Sequence, residues 1–249
     1  MINGKCRLCL EQKDLCKSHI IPEYFYKNVY DPDHKYYQVS SIKEKRNIRR
    51  RKGIYERLLC KDCEEIIKLY EDYGKEILYG AVRSEYEKDL NQAMVIVEVD
   101  ERRLRLFLFS ILWRASVSTD DMFSLVDLGP YEETIRKALH EAGTLPDEEY
   151  PVILMQGFVG NVLRGFFFQP ARNRMKAKGK SMYTFIFDSF ILFFGLGRSG
   201  FNWFEGGGCL REKNKLYVKK AKLTDVNGVA DVAAEAFVHG KFNFFIKNQ

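Results

Sequence analysis

The chain has 249 residues, 30% of them charged, with a formal net charge of +6 and a pI near 8.9. That length accommodates one or two domains, each with its own core, and the basic excess permits a nucleic-acid partner without demanding one. Five of the six cysteines fall within the first 63 residues, in or between two Cys-x-x-Cys pairs, which excludes a secreted disulfide scaffold in favour of metal binding in a reducing compartment.

The first residues, Met1 to Lys5, carry no apolar signal segment, so the expected location is the cytoplasm. The first knuckle follows at once as Cys6-Arg7-Leu8-Cys9, and a second, Cys60-Lys61-Asp62-Cys63, comes after fifty intervening residues. Four thiolates are the ligand set of a closed tetrahedral zinc site, and each two-residue spacing lets a pair of sulfurs reach one ion. The long interval exceeds that of a ribbon-type module, so a folded insertion is expected between the pairs.

Within it, Lys17-Ser18-His19-Ile20-Ile21-Pro22 reads as one arm of a hairpin closed by proline. The tyrosines and phenylalanine at 24, 25, 26, 30, 36 and 37 read as packing residues rather than base-stacking platforms, a distinction that exposure decides. Lys43, Lys45, Arg46, Arg49, Arg50, Arg51 and Lys52 put seven basic residues into ten positions. The functional reading of that strip is a grip on phosphates, and the structural one is a solvated face. A helix opens at the second knuckle, with Ile66, Tyr70, Tyr73 and Ile77 on one face and Glu64, Lys68, Glu71 and Lys75 on the other.

Knuckle, hairpin, insertion, knuckle and helix, in that order and with Ser18-His19-Ile20-Ile21-Pro22-Glu23 and Leu58-Leu59-Cys60 within them, resemble the zinc-containing branch of the HNH endonuclease superfamily. These are the ββα-metal, treble-clef nucleases, and the resemblance covers residues 1 to about 80. It implies a metal-dependent nuclease that hydrolyses phosphodiester bonds, with a role in bacterial or phage defence. Position by position it places His19 on the general base and Ser18 and Glu64 on the ligands of a catalytic magnesium or manganese ion, with Glu71 or Glu65 as a helper. Ser18 and Glu64 both depart from the family's usual residues, and its intermediate asparagine has no match. The implied partner is nucleic acid, DNA first, with a second copy of the chain or a regulatory protein also open. From the residues alone His19 can equally serve a structural hydrogen bond, or join Cys16 in binding metal. Glu64 equally suits the positive end of a helix. A non-catalytic zinc module that binds nucleic acid or protein is the alternative function.

Beyond residue 80 an α+β domain with a mainly antiparallel sheet is expected. A connecting helix through Tyr86 and Leu90 is followed by a strand from Ala93 to Val99, a buried helix from Arg103 to Ser116, and a helix from Tyr131 to Ala142. Strands are expected over Tyr150 to Phe158, Leu163 to Gln169, Met182 to Leu196 and Lys215 to Ala221, then a helix over Val229 to His239 and a last segment over Phe242 to Ile246. The stretch from Tyr183 to Gly197 is too short and polar to cross a membrane. Arg172 to Lys180 reads as a basic hairpin loop, usable as nucleic-acid surface or as protection for a sheet edge. Gly195 to Gly200 lacks the βαβ setting of a dinucleotide fingerprint. Cys209, His140 and His239 carry no motif.

Overall fold

A computed structural model describes residues 2–27, 29–40, 42, 45–80, 84–86, 94–158, 166–174, 181–188, 190–197 and 214–222. The chain is mixed α+β. In its first part, strands β1 (Ile2–Lys5), β2 (Gln12–His19) and β5 (Tyr55–Cys60) form an antiparallel sheet in the order β1-β2-β5. One turn of helix, α1 (Glu23–Tyr26), follows β2, and strands β3 (Tyr36–Val39) and β4 (Ile48–Arg50) fill the insertion. The long helix α2 (Lys61–Tyr79) leaves directly from the second knuckle.

Short strands β6 (Ser84–Tyr86) and β7 (Met94–Val97) lead to α3 (Glu101–Val117) and α4 (Tyr131–His140). Then come β8 (Val152–Phe158), β9 (Phe166–Phe168), β10 (Ala171–Arg174), β11 (Ser181–Phe187), β12 (Phe190–Leu196) and β13 (Lys215–Lys222). A seven-stranded sheet has the order β10-β11-β12-β8-β13-β7-β6, antiparallel except between β8 and β13. A third sheet, β4-β3-β9, pairs β3 in parallel with β9, so the insertion between the knuckles is stitched to a strand more than a hundred residues later.

α2 faces the core with Cys63, Ile67, Tyr70, Tyr73, Gly74 and Ile77. Ile67 joins this face and Ile66 packs against the core at its edge, partly buried, because Cys63 must point into the cysteine cluster and residues 67, 70, 74 and 77 lie on the same stripe from it. Glu64 and Glu71, expected on the solvent face with Lys68 and Lys75, lie instead at the edge of that stripe and are half-buried. α3 is buried on every side from Leu104 to Ala115, as a helix apolar all round must be. It meets α2 where a Cβ on Gly74 would fall 2.3 Å from the Phe107 ring, so only glycine permits this approach.

One apolar cluster runs from Cys6 and Leu8 through Ile67 and Phe107 to Phe194 and Val218. Three expectations change. The segment 84–86 is a strand paired to β7, because a partner edge decides the conformation of so short a stretch. The apolar run after Met182 is a hairpin, turned at Asp188, whose φ of 53° is left-handed. Part of the basic strip is strand β4, paired to β3. Lys43, residues 175–180, Cys209, the helix expected over 229–239, the segment 242–246 and His239 lie outside the described residues. No helix among the described residues is long and apolar enough to cross a membrane.

Candidate functional site: a cysteine cluster and the His19 corner

β2 carries two groups of functional side chains, one at each end. At the first, the turn after β1 and the β5–α2 junction bring Cys6, Cys9, Cys60 and Cys63 together, their sulfurs all within 4.8 Å of one another. Cys9 Sγ and Cys60 Sγ are 3.9 Å apart, close to the ~3.8 Å edge of a tetrahedron with metal–sulfur bonds of about 2.3 Å and far beyond a disulfide bond. The Cys60 N–H donates to Cys6 Sγ at 3.3 Å, the kind of outer bond that orients a thiolate ligand. Burial, then the neighbouring sulfurs, push the Cys63 thiol well above its ordinary value, so four thiolates fit here once a cation joins them. The donor set suits zinc. Cys16 lies outside the group, as does His19.

The knuckle is braced from outside. Leu10, at φ 66°, turns the chain so that its N–H donates to the Cys6 carbonyl at 2.9 Å. Arg136 of α4 donates to the Leu8 carbonyl and pairs with Glu133 at 2.6 Å.

At the other end, β2 stops at His19 because Pro22 caps α1, and that turn swings Glu23 back over the ring. His19 Nε2 and Glu23 Oε2 are 2.7 Å apart, with side chains 35% and 48% exposed. Opposite β2, the register with β5 slips between Leu15 and Lys17, and Leu58 and Leu59 bulge. The Leu59 N–H thereby freed donates to Ser18 Oγ at 3.2 Å. Ser18 is fully buried, and its hydroxyl also bonds the Glu64 carboxylate. Burial raises the Glu64 pKa against the opposing pull of Ser18 and Arg114, and the Glu71 charge adds to the rise. Glu64 Oε1 is buried with no hydrogen-bond partner among the described residues.

Arg114 of α3 ties this corner together. Its side chain is 2% exposed, and Nη1 lies 2.5 Å from Glu71 Oε1 and donates to the His19 carbonyl at 2.6 Å. Nε donates to the Ser110 carbonyl at 3.2 Å. The structure thus unites Ser18, Glu64, Glu71 and Arg114, and joins His19 to them through its carbonyl, while the imidazole bonds Glu23. Glu71, expected as a helper to the catalytic metal, spends its carboxylate on Arg114. Glu23 and Arg114 were not singled out in the sequence. An arginine inside an apolar helical run is a readable sign, since it must find a buried partner.

The basic strip is only partly free. Lys45 pairs with Asp121 at 3.2 Å, Arg49 with Asp31 at 2.7 Å and Arg50 with Asp120 at 3.0 Å. Arg46, Arg51 and Lys52 are exposed. The tyrosines at 26 and 36 and Phe25 are buried in the core, as expected of packing residues.

A cavity of about 690 Å³ opens at the far end of α3, beside Asp100, Arg102, Arg105 and Asp147. Arg105 is already satisfied there by Asp147 at 2.7 Å and the Tyr150 carbonyl at 2.8 Å, so the cavity adds no unpaired group to the chemistry of the His19 corner. No protein-family model, curated protein or solved structure matches the chain.

Proposed function

We propose that the protein is a metal-dependent phosphodiester hydrolase of HNH type acting on nucleic acid, with His19 as general base. The observation that carries this reading is a partly exposed histidine held by a carboxylate, next to a half-buried glutamate with one buried oxygen that has no partner among the described residues. Stability alone does not call for either feature. A buried carboxylate oxygen left unpaired costs folding energy, and such costs gather where a ligand or reaction uses them.

With Nε2–H given to Glu23, the imidazole presents Nδ1 as its basic nitrogen. In the proposed step, a water attacks phosphorus and gives its proton to His19 Nδ1. The bond from phosphorus to the leaving oxygen breaks, that oxygen takes a proton from solvent water, and His19 returns its proton to solvent. Glu64 would be the residue to hold a magnesium or manganese ion, which would neutralise charge on the leaving oxygen. Ser18 holds Glu64 in place, and Arg114 anchors the His19 backbone. The alternative, a zinc module that binds nucleic acid without cutting it, draws its support from Ser18 standing where the family has a charged or imidazole ligand.

The test is incubation of supercoiled plasmid and labelled single strands of DNA and RNA with magnesium or manganese, comparing the native chain with His19→Ala and Glu64→Gln. Cutting that both substitutions reduce by at least about a hundredfold supports the hydrolase. Binding without cutting, under every metal and substrate, leaves the binding module.

A further inference from the structure

The antiparallel β2–β5 pair has an exposed face opposite the one that carries Ser18 and the Glu64 group. The register pairs Lys17 with Arg57, Ser18 with Glu56 and His19 with Tyr55. Opposed residues of an antiparallel pair share a face and alternate along each strand. Lys17, His19, Tyr55 and Arg57 therefore stand together, while Ser18 and Glu56 point to the other side. Burial agrees, since Lys17, Tyr55 and Arg57 are exposed and Ser18 is not. Tyr55 is 39% exposed, and its ring packs edge-on to His19 at 5.9 Å and has Lys17 Nζ over it at 5.2 Å. Arg57 spends one N–H on the Leu15 carbonyl at 2.7 Å. Arg51 and Lys52 continue the positive charge just before β5. Of the carboxylates beside this strand pair, Glu23 is held against His19 on the same face, and Glu56 bonds the loop at 118–120 on the far face.

We propose that this face docks an unpaired nucleic-acid strand, one base stacking on Tyr55 while Lys17 and Arg57 hold flanking phosphates, so that the adjoining phosphodiester reaches His19. The assignment rests on the hydrolase reading for what is done to the strand, but not for its binding. Charge complementarity selects a polyanion. The exposed aromatic ring selects one whose bases are free, because a duplex hides base faces in its own stack whereas an unpaired base offers its π-face. Lys17 and His19 are two residues apart on one strand, about 6.8 Å, a step that flexible cationic side chains span to neighbouring phosphates.

Fluorescence anisotropy on the full, zinc-loaded chain tests the assignment. The probes are a short phosphorothioate oligothymidylate, which resists cutting, an abasic strand of the same length, and a hairpin duplex. The expected result is that Tyr55→Ala weakens oligothymidylate binding about tenfold, as loss of one stacked base does. Tyr55→Phe should bind as the native chain, and neither substitution should alter binding of the abasic strand. Lys17→Ala and Arg57→Ala should weaken both strands and each lower the logarithmic salt slope by about 0.7. All these side chains are exposed, and unchanged circular dichroism and zinc content confirm that the variants fold. Equal binding of oligothymidylate by Tyr55→Ala and the native chain, or tighter binding of the duplex than of the single strand, overturns the proposal. Binding that follows this pattern without any cleavage supports the docking face while refuting the hydrolase. Cleavage that needs His19 but ignores Tyr55 and Lys17 does the reverse.

Discussion

The two ends of β2 use the same strand in opposite ways. At one end, four cysteines converge until no ligand position is left over, and α4 braces the turn through Arg136. At the other, His19 remains partly exposed, Glu64 keeps a buried oxygen without a partner among the described residues, and a buried arginine from a distant helix holds the pieces. A closed, fully satisfied cluster stabilises; an open cluster that carries an unmet cost has chemistry to offer. On the proposed reading, the difference in satisfaction, more than the identity of the residues, separates a structural end from a chemical one.

The largest effect that would sharpen this contrast is at the closed end. Removing the metal with a chelator, or Cys60→Ser, should abolish cooperative unfolding of the N-terminal sheet, since structural zinc contributes on the order of 10 kcal/mol. Thermal unfolding followed by circular dichroism, with zinc content by elemental analysis, reads it. A variant that loses zinc and keeps its transition would break the comparison.

Next comes Arg114→Met, expected to cost about 3–5 kcal/mol by leaving Glu71 and the His19 carbonyl without their buried partner. Adding Glu71→Leu should restore much of the loss in a double-mutant cycle by urea unfolding. No coupling between the two would mean that the pair does not bind the corner together.

Two glutamates should then respond oppositely to pH. Burial and the Glu71 charge hold the folded pKa of Glu64 above its ordinary value. Glu64 therefore lowers stability fully above the folded pKa, and the penalty fades as pH falls towards the ordinary carboxylate value. Glu64→Gln should raise Tm by a few degrees at neutral pH, and the gain should vanish in acid. Glu56 is depressed, because bonds from Ser118, Thr119 and Asp120 outweigh its burial. Its contribution is full above the ordinary carboxylate value and is lost as pH falls through the lower folded one. Glu56→Gln should cost about 1–3 kcal/mol at neutral pH, shrinking in acid. Calorimetry across pH distinguishes them, and parallel responses would contradict the assignment of open and closed groups.

The smallest effect belongs to Leu10→Gly. Leucine at φ 66° is disfavoured by about 1–2 kcal/mol, so glycine should add roughly 1 kcal/mol to stability without changing zinc stoichiometry. A loss of stability would show that the exposed Leu10 side chain earns its place by packing.

What could be read from the sequence follows the range of the interactions. The cysteine pairs were legible because each pair is local and metal chemistry dictates its spacing, and α3 (Glu101–Val117) was legible within a residue or two from the apolar run over Arg103 to Ser116. On α2 the sequence showed Tyr70, Tyr73 and Ile77 but not Ile67 or Gly74, because periodicity alone could not know that Cys63 points into the cysteine cluster. Glu23 sits four residues from His19, but the bond between them depends on the Pro22 turn. Arg114 and Glu71 meet across 43 positions, and β3 meets β9 across more than a hundred. The exposed Tyr55 was hidden among many buried aromatics, and its place beside Lys17 and His19 comes from strand register.

The most direct test of the account is the cleavage rate of His19→Ala measured on protein whose zinc content has been determined first. The account predicts one zinc per chain, as in the native protein, with cutting lost. An intact rate, or cutting that disappears only together with the zinc, would contradict the separation of a structural end from a chemical one.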